Sequence, residues 1–143
     1  MDKKELERRL DRLCSTITRC SEPRCFTCGK RLDYADRQAG HFIPRIVKGA
    51  RWNLDNLHTQ CYKCNIYKGG NIPRYREKLE KKFPSTLKEL DDTYVAYEDG
   101  ILPEPSYEYK AMLYNSLLDR LRTEFPRRAQ FFSEWQKIEL CYI

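Results

Sequence analysis

Two Cys-x-x-Cys pairs, Cys25-Phe-Thr-Cys28 and Cys61-Tyr-Lys-Cys64, restrict what this chain can fold into more than any other feature. The 32 residues between Cys28 and Cys61 are about what two metal-gripping turns need to fold back on one another. Four thiolates so placed describe a closed tetrahedral site, which suits structural zinc and leaves no open position for catalysis. The competing use of such a pair, as a thioredoxin-like dithiol, wants a βαβ context that does not flank either pair here. Gly29, directly after Cys28, permits the φ > 0 turn that lets backbone amides face sulfur. Cys14 and Cys20 lie on either side of Thr16-Ile17-Thr18 with no partner at ligand spacing, so they read as buried or half-buried thiols.

Seven cysteines, an odd number, argue against a closed disulfide framework. The start, Met-Asp-Lys-Lys-Glu, lacks the apolar core of a signal peptide, and no apolar run reaches the roughly 18 residues of a membrane span. The expected location is the cytoplasm, where thiols stay reduced and paired cysteines more often hold metal. At 143 residues the chain is short enough for a metal staple to matter to its stability. Its formal charge of +6 is uneven: residues 1–82 carry 20 Lys+Arg against 10 Asp+Glu, and residues 83–143 carry 7 against 11. A positive field concentrated in the half that holds the cysteines suits a polyanion, with nucleic acid first and a merely solvated basic surface as the alternative.

Read in order, Asp2 with Glu5 resembles a capping box, and Leu6, Leu10 and Leu13 recur at helical spacing, which predicts an amphipathic helix from residue 2 to about 15. Residues 38–45 read as a strand through Gly40-His41-Phe42-Ile43, closed by Pro44. After a polar loop, Leu54 to Gln60 reads as a second strand, and Cys61 would begin a helix. Strand, loop, strand, helix is the outline of a ββα unit with metal. Tyr75, Leu79 and Phe83 predict a helix over 73–83 ended by Pro84, and Thr86 with Glu89 predicts another from Leu87 towards Tyr97. Gly100, Pro103 and Pro105 mark a linker. Beyond it, Tyr107, Ala111, Tyr114, Leu118, Leu121 and Phe125 form one stripe, and Phe131, Trp135, Ile138 and Tyr142 form a second after Pro126. These stripes either pack within the chain or build a homodimer interface.

The ordered set Cys-x-x-Cys-Gly-Lys, Gly40-His41-Phe42-Ile43-Pro44-Arg45, Asp55-Asn56-Leu57 and Cys-x-x-Cys-Asn-x-x-Lys resembles the HNH branch of the His-Me finger endonucleases. The Gly40-His41-Phe42 start, the Gln60 to Asn65 segment and the Gly70-Asn71 ending are similar to the NinG (Rap) recombination proteins of lambda-like phages. The resemblance covers about residues 19–80. It implies that His41 is the general base and that Asn56, in the second strand, orients the loop behind it. It also implies that Asn65 ligates a catalytic Mg²⁺ or Mn²⁺ through its amide oxygen, and that Lys68 holds a phosphate. Arg45 and Arg51, flanking the loop, and Asn71 are the further DNA-binding candidates. Many family members carry an acidic residue before the first histidine; here that position is Gly40, and Asp33 and Asp36 are candidates to supply the missing carboxylate. His58 has no such support, and Trp52 reads as a core or loop anchor, with base stacking as the lesser alternative.

The expectation is therefore an α+β chain with three parts: an N-terminal helix at 1–22, a zinc-stapled ββα-metal core at 23–83 and a helical extension at 84–143. Its expected activity is metal-dependent hydrolysis of DNA, in the manner of recombination nucleases that act on branched intermediates such as Holliday junctions. A zinc-dependent nucleic-acid-binding module without catalysis is the rival.

Overall fold

The computed structural model describes residues 1–140 and is α+β. Helix α1, Lys3–Ser21, is capped by Asp2, whose carboxylate accepts the Glu5 amide at 2.8 Å. It runs six residues past the expected end, because Thr16, Ile17 and Thr18 are helical and buried. The helical cost of a β-branched residue is a few tenths of a kcal/mol, less than burying its methyl groups returns. Cys14 is likewise buried, and burial pushes its thiol up to about 12.

Strands β1, Gln38–His41, and β2, Leu57–Gln60, pair antiparallel with His41 opposite Leu57 and Gly40 opposite His58. Both are shorter than expected. Phe42 and Ile43 leave the ladder, and Leu54–Asn56 forms a 3₁₀ turn started by the Asn53 side chain, so Asn56 sits in that turn and not in the strand. Between the strands a single helical turn, α2, spans Lys48–Arg51.

The helix expected from Cys61 does not form there. Lys63–Tyr67 makes one π-helical turn, and Gly69, Gly70 and Asn71 follow with φ of 57°, 93° and 50°. Three left-handed residues in a row end any right-handed helix. Helix α3 therefore begins at Ile72 and runs to Lys82. Helix α4, Pro84–Glu98, starts on its own proline at N1, so the expected Thr86 capping box is unused and lies inside the first turn.

Helix α5, Tyr107–Glu124, is capped by Ser106. Its stripe of Ala111, Tyr114, Leu118 and Leu121 is covered within the chain by Leu6, Leu10, Leu13 and Ile17 of α1, with Trp52 and Leu57 completing this core. Beside it Lys110, 1% exposed, donates to Glu7 at 3.0 Å. The second C-terminal helix is replaced by a short one, α6, Pro126–Ala129, and a 3₁₀ turn at Gln130–Phe132. The segment beyond runs back along α5, where Asn115 exchanges two hydrogen bonds of 2.8 Å with the Ile138 backbone. Phe132 is buried and Trp135 packs against the same core, but Phe131 is exposed; Cys141 and Tyr142 lie outside the described residues. A second core of Phe26, Phe42, Ile43, Val47, Tyr75, Leu79, Leu87 and Leu90 joins the hairpin loop to α3 and α4. No described helix is long and apolar enough to cross a membrane.

Candidate functional site

Cys25 and Cys28 lie in a turn whose ends bridge at Arg24 and Arg31, while Cys61 and Cys64 lead into the π-helical turn. Folding brings the four sulfurs within 4.8 Å of one another, with Cys28 Sγ and Cys61 Sγ 3.9 Å apart. Zinc–sulfur bonds of about 2.3 Å in a tetrahedron put sulfurs about 3.8 Å apart, so the cluster could hold zinc with little adjustment. The Cys64 amide points at Cys61 Sγ at 3.4 Å, and the Asn71 side chain donates to Cys64 Sγ at 3.6 Å. Burial pushes the Cys25 thiol up, but the Thr27 hydroxyl and the amides of Cys28, Cys61 and Thr27 outweigh it and bring it down to about 6. Burial and the neighbouring cysteines hold Cys28 at about 12. Adjacent thiolates repel, and a divalent cation is what would let all four ionise together.

A cleft of about 970 Å³ opens between α1, the hairpin loop and the start of α3. His41, Asn65, Arg45 and Arg51 all line it, so four of the expected site residues converge on one space. The partly buried His41 ring meets the Arg51 carbonyl at 3.0 Å through Nε2. A carbonyl only accepts, so Nε2 carries the hydrogen and the neutral ring keeps Nδ1 as its basic nitrogen. Burial, opposed by that hydrogen bond and assisted by the Arg45 charge, holds His41 below the usual imidazole range.

Asn56 is fully buried and ties the two ends of the loop together. Its Oδ1 accepts the Ile43 amide at 2.7 Å, and its Nδ2 donates to the Ile43 carbonyl at 3.0 Å and the Ala50 carbonyl at 3.3 Å. The residue after Ala50 is Arg51, whose carbonyl fixes His41, so Asn56 acts on the ring through the loop. Asn65 Nδ2 donates to Gln38 Oε1 at 2.9 Å, which anchors the π-helical turn to β1.

Asp11 of α1 is the residue that sequence reasoning missed. Its carboxylate receives Arg45 at 2.9 Å, Arg51 at 2.6 and 2.9 Å and the Trp52 indole at 2.8 Å. Asp11 lines the cleft; Asp33 and Asp36 are exposed and do not. Nothing local marks Asp11 among the charges of an amphipathic helix, and only the docking of α1 on the hairpin brings it there. Five arginines (Arg8, Arg12, Arg45, Arg51 and Arg76) against Asp11 and Asp91 leave the cleft walls positive. Lys68 is exposed on the turn and is not among the cleft residues; Asn71 faces the cysteine cluster, and Trp52 is a buried anchor.

Gly40 has a steric reason to be glycine. A Cβ there would sit 1.8 Å from Oε1 of Gln60, whose buried side chain is fastened to the Thr27 hydroxyl at 3.1 Å and the Gly70 carbonyl at 2.8 Å. No acidic residue fits before His41 while Gln60 stays in place. His58 lies on the other face of the hairpin, stacked on Phe26 at 4.0 Å and bonded to Glu22 at 2.8 Å.

Fold and cluster together define an α+β protein built around a four-cysteine centre that could hold a metal ion. The chain belongs to the NinG family: residues 2–92 match the family described as Bacteriophage Lambda NinG protein. Protein ninG of Escherichia phage lambda is 39% identical over 56 residues, covering 38% of this chain and 27% of the lambda protein. The match thus spans about a quarter of that relative's length. No solved structure matches.

Proposed function

We propose that this protein is a metal-dependent DNA endonuclease of the HNH type, acting on branched recombination intermediates. One observation carries the reading: a histidine with its Nε2 hydrogen committed to a backbone carbonyl lines the same arginine-walled cleft as Asn65. The branched substrate rests on the NinG family alone. In this reading Nδ1 of His41 takes a proton from water as its oxygen forms the new bond to phosphorus. The bond to the 3′ oxygen breaks, and protonation of that oxygen leaves a 3′-hydroxyl and a 5′-phosphate. The depressed imidazole keeps that nitrogen unprotonated at neutral pH. Arg45 and Arg51 position the backbone, and Asn56 keeps the loop that carries them in register with His41.

The donors at hand fit a hard cation only in part. Asn65 Oδ1 is a neutral oxygen with no hydrogen-bond donor upon it among the described residues, and phosphate and water oxygens would supply most of the remainder. A Mg²⁺ or Mn²⁺ ion held there would supply neutralisation of the charge developing on the phosphate.

A second reading, a zinc-dependent nucleic-acid-binding module without catalysis, is favoured by two observations. Gly40 supplies no carboxylate and a side chain there would collide with Gln60 as it is placed, and Asp11, a carboxylate of the cleft, is held by Arg45 and Arg51. Incubating the wild type and His41→Ala with plasmid and four-way junctions in Mg²⁺ or Mn²⁺ separates the two. Cutting by the wild type, lost in a zinc-loaded and folded variant, supports the nuclease. Binding without cutting, or equal cutting by both proteins, refutes it.

A further inference from the structure

Three guanidinium groups gather around one phenol ring, that of Tyr34. Arg128 lies 3.4 Å from the Tyr34 ring centroid, Arg19 lies 5.0 Å away and Arg37 lies 5.7 Å away. Any two of them are therefore within about 11 Å, close to the Debye length of about 8 Å at physiological salt. None has a carboxylate partner among the described residues. Arg37 is fixed by the Leu32 and Arg19 carbonyls at 3.1 and 2.9 Å, and Arg19 by Ser15 at 3.0 Å. These bonds set the guanidinium planes and leave the charge unneutralised. A single arginine over the ring would satisfy the cation–π contact; three like charges repel one another, and an anion relieves that repulsion.

The cluster is continuous with the cleft. Arg8, Arg12, Ser15 and Arg19 follow one another on one face of α1 at steps of four, three and four, and the first three line the cleft. From Arg8 to Arg19 the helix rises about 16 Å, the axial rise of roughly five base pairs of B-DNA.

We propose that the Arg19, Arg37 and Arg128 cluster around Tyr34 is a phosphate-binding site that holds a duplex DNA arm leading out of the cleft. The proposal rests on the DNA-directed reading above, but concerns binding and not cutting. Arg128 makes no side-chain hydrogen bond among the described residues, so Arg128→Gln removes its charge and its contact with the Tyr34 ring and breaks no hydrogen bond.

The test is fluorescence anisotropy of a labelled duplex of about 30 base pairs, titrated from 50 to 200 mM salt without divalent ion. Wild type is compared with Arg128→Gln, with the triple glutamine variant and with the triple lysine variant. The slope of log K against log salt is expected to fall by about 1 for Arg128→Gln and by about 2 to 3 for the triple glutamine variant. The triple glutamine Kd should rise roughly 10- to 100-fold at 150 mM salt, and the lysine variant should keep most of the slope. Wild-type slope and Kd in the glutamine variants overturn the proposal, as does a lysine variant that loses as much as the glutamine one. Should the triple glutamine variant fail to fold by circular dichroism, Arg128→Gln alone decides. Slopes that fall as expected in the glutamine variants, with no cutting by wild type in Mg²⁺ or Mn²⁺, would sink the nuclease reading and leave this site standing. Cutting with unchanged slopes would do the reverse, and no DNA binding by wild type would end both.

Discussion

Replacing Asn56 by alanine tests the link between fold and site most directly. The wild-type carboxamide makes two good hydrogen bonds, at 2.7 and 3.0 Å, and a longer one at 3.3 Å, all to backbone of the loop between the strands. Ile43, which supplies two of the three partners, is itself buried, so water cannot replace what is lost. Each stranded buried backbone group costs about 1–3 kcal/mol; counting the two shorter bonds in full and the third as marginal gives a loss of about 3 kcal/mol. That is a large share of the 5–15 kcal/mol typical of a domain and corresponds to roughly 10 °C in Tm. Asn56→Asp should be worse, because it keeps the acceptor for the Ile43 amide but turns a carboxylate toward two carbonyls. Urea denaturation of zinc-loaded protein measures both losses, and hydrogen exchange at the Ile43 amide localises them. A loss under 0.5 kcal/mol for alanine, or an aspartate variant more stable than the alanine one, would refute the claim that this side chain holds the loop.

Three further outcomes are expected. Cys61→Ser should abolish stoichiometric zinc by atomic absorption and lower Tm by well over 10 °C, since structural zinc contributes about 10 kcal/mol of folding energy where it is needed; an unchanged Tm would remove the staple. Gly40→Ala should cost about 1–3 kcal/mol by overpacking against Gln60, and Gly40→Ala with Gln60→Ala should recover part of it by chemical denaturation. Any cleavage activity should fall on acidification with an inflection below the ordinary histidine value of about 6.5, because burial lowers the His41 pKa and only the neutral ring accepts a proton. The same shift makes His41 contribute stability that is present above 6.5 and lost as pH falls through its depressed native pKa, since the unfolded chain then binds the proton more readily. An inflection above 6.5 would argue against His41 as the base.

Much of this was legible from spacing alone. The Cys-x-x-Cys pairs named the cluster that could hold a metal ion, because ligand geometry is so demanding that few other uses explain four thiols at those positions. Leu6, Leu10 and Leu13 named the buried face of α1, and the α5 stripe named its own, because a helix writes its buried side at a period of 3.6. His41, Asn56 and Asn65 were singled out through the family resemblance and not through spacing, and of the three His41 and Asn65 line one cleft. Boundaries failed where local propensity competed with burial, as at Thr16 to Thr18, or where consecutive left-handed residues broke a pattern, as at Gly69 to Asn71.

The chain's pattern of thiols, leucines and positive charge determined that it would be α+β, could be stapled by zinc and would be basic around its hairpin. Tertiary structure alone decided that Asp11 meets Arg45 and Arg51 beside His41, that Gln60 forbids a side chain at Gly40 and that Arg128 joins Arg19 and Arg37 over Tyr34. Those contacts link residues tens of positions apart. Periodicity reports which way a side chain faces from its own element, whereas what it meets there depends on how the elements dock.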